Sequence, residues 1–543
     1  MKSAMSKEVD LGKEPVGRLL LTLAVPAILS QLVNALYNMV DRMYIGHIPE
    51  VGAEALTGVG ICFPIIMIVS AFAFLMGIGG SPRAGILMGK GDNKGAEKIM
   101  GNCFMALILV SVFLTAVVLI FKTPILYFFK ATDVTIGYAK SYISIYAIGT
   151  IFVQLTLGLN AFISTQGFSK ISMMTVVIGA VINIVLDPIF IFLLGMGVKG
   201  AALATVISQA VSCLWAFRFL TSDKTVLKLR KENIKIEPKV LMPCIALGIA
   251  PFVMQSTESI LVLCFNSQLL KFGGDMAVGA MTILSSIMQF AMLPLQGLTQ
   301  GGQPIISFNY GGGNPKRVKK AFKLVMIASL VYFAALWLLA ELAPGVMVSV
   351  FTSDMELREI SMWAIRIYLG ALVLMGAQIA CQQTFIAFGN AKVSVFLAIF
   401  RKIIVLIPLI YILPMFVGEA SKVAAVFWAE PIADTIAVTT TCLMFAYSFK
   451  KLLRNLNYRN LSLSPILEIG NTETIIKLLK SGMGVSFLPK YTISEDLTEG
   501  LLMKISTDLK PVDIFIQLFY HKNKWVTPQM KGFIDLVISQ LNT

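Results

Sequence analysis

The sequence predicts an all-α polytopic membrane protein: twelve transmembrane helices in two pseudo-symmetric six-helix lobes, followed by a small incomplete α/β tail. Three observations predict it. Between Val16 and Lys450, about twelve apolar stretches are long enough to cross a bilayer. The chain of 543 residues is 57% hydrophobic and 14% charged, with mean hydropathy +0.80, too apolar for a soluble globular protein. Landmarks also recur at a constant offset of 222 residues: Gly79-Gly80-Ser81-Pro82 returns as Gly301-Gly302-Gln303-Pro304, and Gly89 to Lys94 as Gly311 to Lys316. Gly52, Gly167, Lys170 and Ser172 likewise recur as Gly274, Gly389, Lys392 and Ser394.

A short charged leader (1–15) precedes the first lobe (16–221), whose spans are expected at 17–40, 56–81, 98–121, 138–162, 172–194 and 200–220. The first apolar stretch is too long for a signal-peptide core and reads as an uncleaved span. The Gly79–Gly91 segment reads as the loop between the second and third spans. A basic linker (222–239) is polar enough to cross between the lobes at the cytoplasmic face. The second lobe (240–449) holds spans at 241–268, 277–300, 321–341, 360–387, 393–416 and 423–448. The tail (450–543) has no membrane-length run after Leu463. It mixes β-like runs at 485–489 and 514–520 with helix-like runs at 472–480 and 528–541, a soluble α/β piece of about 80 residues.

The formal net charge of +15 follows topology rather than nucleic acid. About two dozen Lys and Arg fall on one set of loops and the tail, the positive-inside pattern. Both termini are therefore expected in the cytoplasm, with the basic loops against anionic membrane lipids and no nucleic acid as partner. The seven cysteines lack CxxC spacing and, with only two histidines, no histidine metal site is expected.

Polar groups deep in a span are costly unless paired or facing water, so each is a functional candidate. Asp41 ends the first span. Asn183 and Asp187 lie four apart, on one face of the fifth, followed by Pro188, and Thr205 lies in the sixth. Two carboxylates, an amide and a hydroxyl offer oxygen ligands suited to Na⁺ or to a proton. The second lobe does not repeat them: Asn183 and Asp187 map to Val405 and Leu409. It has instead Glu258 in the seventh span, a candidate substrate counter-charge or second cation site. Arg401, Glu430 and Asp434 are a candidate interhelical ion pair. Pro26 and Pro188 are candidate hinges.

The run Tyr37 to Gly46, the Gly79–Gly91 segment, Asn183…Asp187-Pro188 and Gly200 to Thr205 together resemble the multidrug and toxic compound extrusion (MATE) transporters over roughly residues 12–450. The resemblance implies two six-helix lobes around a V-shaped cavity and antiport of Na⁺ or H⁺ against small organic, often cationic, compounds. It maps Asp41, Asn183, Asp187 and Thr205 onto the family's amino-lobe cation or proton site, and Glu258 onto an acidic residue used by a subset. A tenth-helix carboxylate of the family has no match in 360–387. Segments around Gly470–Ile475, Gly482–Pro489 and Phe519–Lys522 resemble the distal end of the effector-binding domain of LysR-type regulators. The DNA-binding part and the first part of that effector domain have no counterpart, so neither DNA nor effector binding is carried over.

The expected function is secondary multidrug efflux by alternating access, by a monomer in a bacterial cell membrane, without cofactor and without enzymatic chemistry. Three other classes are weighed, of which a catalytic membrane enzyme would need a nucleophile, metal or acid–base set that the sequence does not offer. A lipid-linked-precursor flippase would line its cavity with several cationic residues, where Arg401 stands nearly alone. A membrane-anchored sensor would work through the tail.

Overall fold

The computed structural model describes residues 10–459 and, in the tail, 471–482, 486, 488–489, 492–504, 528 and 531, with side chains to residue 452 in the first stretch. The chain divides into two compact units, Met1–Leu461 and Ser462–Thr543.

In the first unit, α1 (Val16–Gly46), α2 (Gly52–Gly89), α3 (Asn93–Phe128), α4 (Ile136–Thr165), α5 (Ser169–Pro188, continued by a π-helical turn Ile189–Leu193) and α6 (Val198–Thr221) form the first six spans. Then α7 runs over 74 residues, Pro238–Gly311. At 1.5 Å per residue such a helix would reach about 110 Å, more than three bilayer cores. It breaks at Gly274, where φ is +62° and ψ −162°, a backbone setting open to glycine alone. Thus α7 supplies two spans, where the sequence suggests two helices separated by a loop. The second lobe continues with α8 (Pro315–Leu342), the short α9 (Pro344–Ser349), α10 (Met355–Tyr368), α11 (Leu372–Ala387), α12 (Ala391–Ile399), a π-helical stretch Phe400–Leu406, α13 (Ile407–Ile412) and α14 (Lys422–Arg459). With α10 and α11 counted as one bent span, twelve crossings result among the described residues.

Three boundaries differ from expectation. The tenth span is two helices meeting at 50°. Gly370, a poor helix former, closes a tight turn with its N–H on Ile367 O at 3.0 Å. The Gly79–Pro82 landmark lies inside α2 and its repeat inside α7; the turn itself is Lys90 to Asp92. Asp92 then caps α3, its carboxylate accepting the Gly95 N–H at 2.8 Å.

The linker also differs, being held against the first lobe along its length. Leu227 and Leu229 are buried among α3, α4 and α6. Gln166 Oε1 accepts from Thr225 Oγ1 at 2.8 Å and Leu227 N at 2.7 Å. Glu97 accepts from Lys228 N and Arg230 Nε, and Asn102 Oδ1 from Glu237 N at 2.6 Å. The two leucines alternate with charged residues, so one side of a segment polar on average is apolar.

Packing crosses between lobes at the end that bears the N-terminus and the basic loops. Leu19, Leu20 and Leu23 of α1 pack with Ile305, Val318 and Phe385 of the second lobe. In pseudo-symmetric fashion, Leu241 and Cys244 of α7 pack with Ile99, Met100 and Leu107 of the first. Where α2 meets the end of α7, Gly89 lies on Phe308 O and Gly311 on Ile86 O, each too close for a Cβ. These glycines are the same landmark, one per repeat. The contact therefore sits across the pseudo-two-fold axis, and backbone touches backbone there because neither residue has a side chain.

In the second unit, α15 (Thr472–Lys480) occupies the expected helix-like run and is capped by Asn471, which accepts from Glu473 N at 2.9 Å. A short α16 (Ser494–Thr498) pairs Asp496 with Lys480. No strand occurs among the described residues. The expected strand at 514–520 and most of the expected helix at 528–541 lie outside them.

Candidate functional site

The polar residues singled out in the first lobe converge. Asp41 on α1 is buried, and Asn183 and Asp187 on α5 are wholly so. Asn183 Nδ2 donates to Asp187 Oδ1 at 3.2 Å and to Thr205 Oγ1 on α6 at 3.5 Å. The Thr205 hydroxyl donates to Ala201 O at 3.0 Å, so its lone pairs face Asn183. Asp41 and Asp187 lie within hydrogen-bonding reach of each other. Three helices thus place two carboxyls, an amide and a hydroxyl around one point. Pro188 ends α5 and leads into its π-helical turn, a distortion common at functional sites. Pro26 lies inside α1, which runs through it as one helix.

Further groups close the site that sequence spacing could not find. The Tyr37 hydroxyl is in reach of Gln209 and close to Asp41. The Tyr142 hydroxyl is in reach of Thr205, and its ring stacks on Tyr146 at 6.2 Å. Tyr37 was part of a recognisable run, but Tyr142, Tyr146 and Gln209 are ordinary residues of apolar helices until α4 and α6 are packed. Among the buried atoms without a hydrogen-bond partner are Asp41 Oδ1, Asn183 Oδ1 and Asp187 Oδ2, all oxygen acceptors. The three orphaned atoms belong to one cluster.

The second lobe carries a charged cluster. Arg401 Nη2 lies 2.9 Å from Glu430 Oε1 and 2.6 Å from Asp434 Oδ1, and Nε donates to Asp434 at 2.7 Å. Glu258, the candidate substrate counter-charge or second cation site, pairs with Lys402. The Lys402 ammonium, buried like the rest of its side chain, also donates to Met254 O at 2.7 Å. Lys402 stands beside Arg401, which the sequence pattern presents as nearly the lone cation of that region. The clue is a second cation beside Arg401 inside an apolar span. Both sit in the π-helical stretch of the eleventh span.

The lobes meet only part-way along their length. From the basic end, Phe72 packs edge-on against Phe252 at 4.9 Å, Gln31 donates to Gln300 at 3.2 Å, and Gln255 Nε2 lies 2.9 Å from Met67 Sδ. Farther from that end, no hydrogen bond, ion pair or ring contact joins the lobes among the described residues.

The MatE family model matches this chain twice, over residues 26–189 and 250–412, once per lobe. The chain belongs to the MATE family. The multidrug export protein MepA of Staphylococcus haemolyticus is 25% identical over 413 residues, covering 76% of this chain and 89% of the relative. MepA of Staphylococcus aureus strain MSSA476 is 24% identical over 432 residues, covering 80% and 94%. Among solved structures, a MATE protein in a bent conformation superposes with TM-score 0.78 at 22% identity, covering 83% of this chain and 100% of that one. An outward-facing multidrug resistance MATE transporter superposes at 0.77, with 22% identity and 83% and 99% coverage. This MATE chain differs from them in length by its tail, where a LysR substrate-binding-domain model matches residues 438–542.

Proposed function

We propose that this MATE protein exports small organic, often cationic, compounds by antiport with Na⁺ or H⁺, through alternating access. The observation that carries the reading is the set of orphaned acceptors at Asp41, Asn183 and Asp187. Two buried carboxyls in mutual reach need positive charge between them, and a proton or a Na⁺ ion supplies it. The neighbouring hydroxyl and amide oxygens suit either, so the coupling ion is one of these two. The relatives named MepA support the multidrug substrate class.

In the proposed cycle the basic end is cytoplasmic, as are both termini, and the contacts there hold the lobes in an outward-open form. A cation entering from outside neutralises Asp41 and Asp187 and changes how α1 packs on α5 and α6. Pro26 and Pro188 permit that adjustment. Substrate leaves, and the lobes rock to open inward. One charge moved inward across the membrane supplies about 2.3 kcal/mol per 100 mV. Reciprocal linkage requires ion and substrate to weaken each other's binding in the outward form. The protein works as a monomer among bacterial cell-membrane lipids.

The flippase reading is disfavoured by charge. Arg401 and Lys402 are both engaged by carboxyl groups, so neither is free to hold a pyrophosphate.

The test is efflux of a fluorescent organic cation from cells expressing the wild type, Asp187→Asn and a chain ending at Asn455, with and without Na⁺. Export lost in Asp187→Asn and kept in the shortened chain is expected. Export unchanged in Asp187→Asn overturns the coupling site, and loss in the shortened chain favours the sensor reading.

A further inference from the structure

The repeat departs from itself at one buried position. In the first lobe the Phe162 ring of α4 is wholly buried and lies against Gly80 of α2, where a Cβ would stand 2.8 Å from its Cζ. The 222-residue offset relates Gly80 to Gly302 and Gly167 to Gly389, and on the same elements it relates Phe162 to Thr384 of α11. A Cβ on Gly302 of α7 would meet Val325 and Leu20, and nothing from α11 within 4 Å. Where one lobe has an aromatic plug, the other has a cavity, lined by Thr299, Gln303, Ile306, Val325, Gln383 and Thr384. Thr299, Gln303 and Gln383 stand where the first lobe has Gly77, Ser81 and Ala161.

The cavity offers a defined set of hydrogen-bonding groups. Gln303 Nε2 is buried and donates to no protein group among the described residues. Thr299 and Thr384 are buried as well. Thr299 donates its hydroxyl hydrogen to Gln296 O at 3.0 Å, and Thr384 donates its own to Ala380 O at 2.7 Å, so both oxygens remain as acceptors. Among the described residues no ionisable group lines the space. One unused N–H and two hydroxyl acceptors match a water molecule, which accepts once and donates twice. A buried water typically makes about three such bonds. A cation would meet the amide hydrogens, and an anion the oxygen lone pairs. Size agrees with chemistry, since the cavity of about 10 Å³ holds one water-sized sphere.

We propose that the second lobe binds one structural water here, bridging Thr299 and Gln303 of α7 to Thr384 of α11. It joins two helices whose counterparts in the first lobe are joined by the Phe162 ring. The bridge stands directly behind a lobe-to-lobe contact: Gly301 of α7 lies on Ala24 of α1, and Gly297 on Ile28, each too close for a Cβ. The water therefore supports the face of α7 on which α1 packs. Losing it leaves a buried donor without a partner, which is costly in an apolar interior. The site stands independently of the export reading.

The test compares thermal midpoints of the purified full chain in detergent for the wild type, Gln303→Leu, Thr384→Val and the double variant. Gln303 and Thr384 make no direct hydrogen bond to each other, so only a shared water couples them. With the water in place, each single variant is expected to lower the midpoint by a few degrees. The double variant should then lose no more than the worse single one, because both break the same bridge. A dry cavity gives a different sign: Gln303→Leu removes an unpaired buried amide and raises the midpoint. That rise, or losses that simply add in the double variant, overturns the proposal. A high-resolution crystal structure of the wild type decides the matter even if a variant fails to fold. Density within hydrogen-bonding distance of the Gln303 amide and the Thr384 hydroxyl is expected there, and a cavity without density overturns the site.

Discussion

Asn183 stands between Asp187 and Thr205 and donates to both. Substituting Asn183→Leu keeps the volume and removes the donor, leaving the Asp187 carboxylate with one fewer charge-assisted hydrogen bond. Such bonds contribute about 1.5–3 kcal/mol, so a ten- to hundredfold fall in efflux is expected at unchanged expression. Efflux within twofold of wild type would remove Asn183 from the proposed coupling site. Arg401 behaves differently, because its partners are buried carboxylates on neighbouring turns of α14. Arg401→Leu strands them, at a cost of about 3–5 kcal/mol. A lower thermal midpoint in detergent is the readout, with partial recovery in Arg401→Leu/Asp434→Asn.

At the scale of elements, the basic end is held by short contacts that must part if the lobes rock. Arg317 on α8 clasps the leader: Nη2 donates to Leu11 O at 3.0 Å and Glu14 O at 2.7 Å, while Nε donates to Asn309 at 2.9 Å. Asn309 Nδ2 in turn donates to Leu11 O at 3.0 Å. The leader belongs to the first lobe's opening helix and its clasp to the second. Arg317→Ala is expected to raise thiol-reagent access to Gly12→Cys several-fold, since three leader carbonyls, those of Leu11, Lys13 and Glu14, lose their donor together. Equal access in both backgrounds would show that packing alone holds the leader. Gly89→Val drives a branched side chain into Phe308 O and should prevent closure, with a loss of transport but not of expression.

The linker adds a pH dependence outside the membrane. Hydrogen bonds from Lys235 and Lys98 hold the Glu237 carboxyl below its ordinary value of 4.5. A depressed carboxyl pKa stabilises the docked state fully above that ordinary value, and the contribution is lost as pH falls through the lowered one. A spin label at Lys231→Cys should stay immobile from neutral pH to about 5 and gain mobility below 4.5. Constant mobility down to pH 3 would mean that Leu227 and Leu229 suffice to hold the segment.

For the whole molecule, the contact between Met67 and Gln255 marks how far the lobes are joined. Oxidising the pair Met67→Cys/Gln255→Cys should lock the lobes together and stop turnover, with recovery on reduction. Turnover that persists in the oxidised form would mean that the lobes need not separate there. The tail is a separate compact unit, and a chain ending at Asn455 should keep its full complement of membrane helices.

The sequence by itself determined the architecture of the membrane part, because span length, loop charge and the repeat are one-dimensional properties. A bilayer demands about twenty apolar residues per crossing whatever their partners. The same physics flagged Asp41, Asn183, Asp187 and Thr205, since polar groups in apolar spans are conspicuous on their own. Helix ends were less legible: α2 continues through Gly79–Pro82 because packing against α7 outweighs weak local propensity. Only the tertiary structure decided partnership. It gave Glu258 an internal cation in Lys402, bound the linker to the first lobe, brought Tyr142 and Gln209 to the first-lobe polar cluster, and joined the two glycine landmarks across the pseudo-two-fold axis. These depend on which helix faces which, and the energy of a buried charge or a close backbone contact is a property of the pair rather than of either residue.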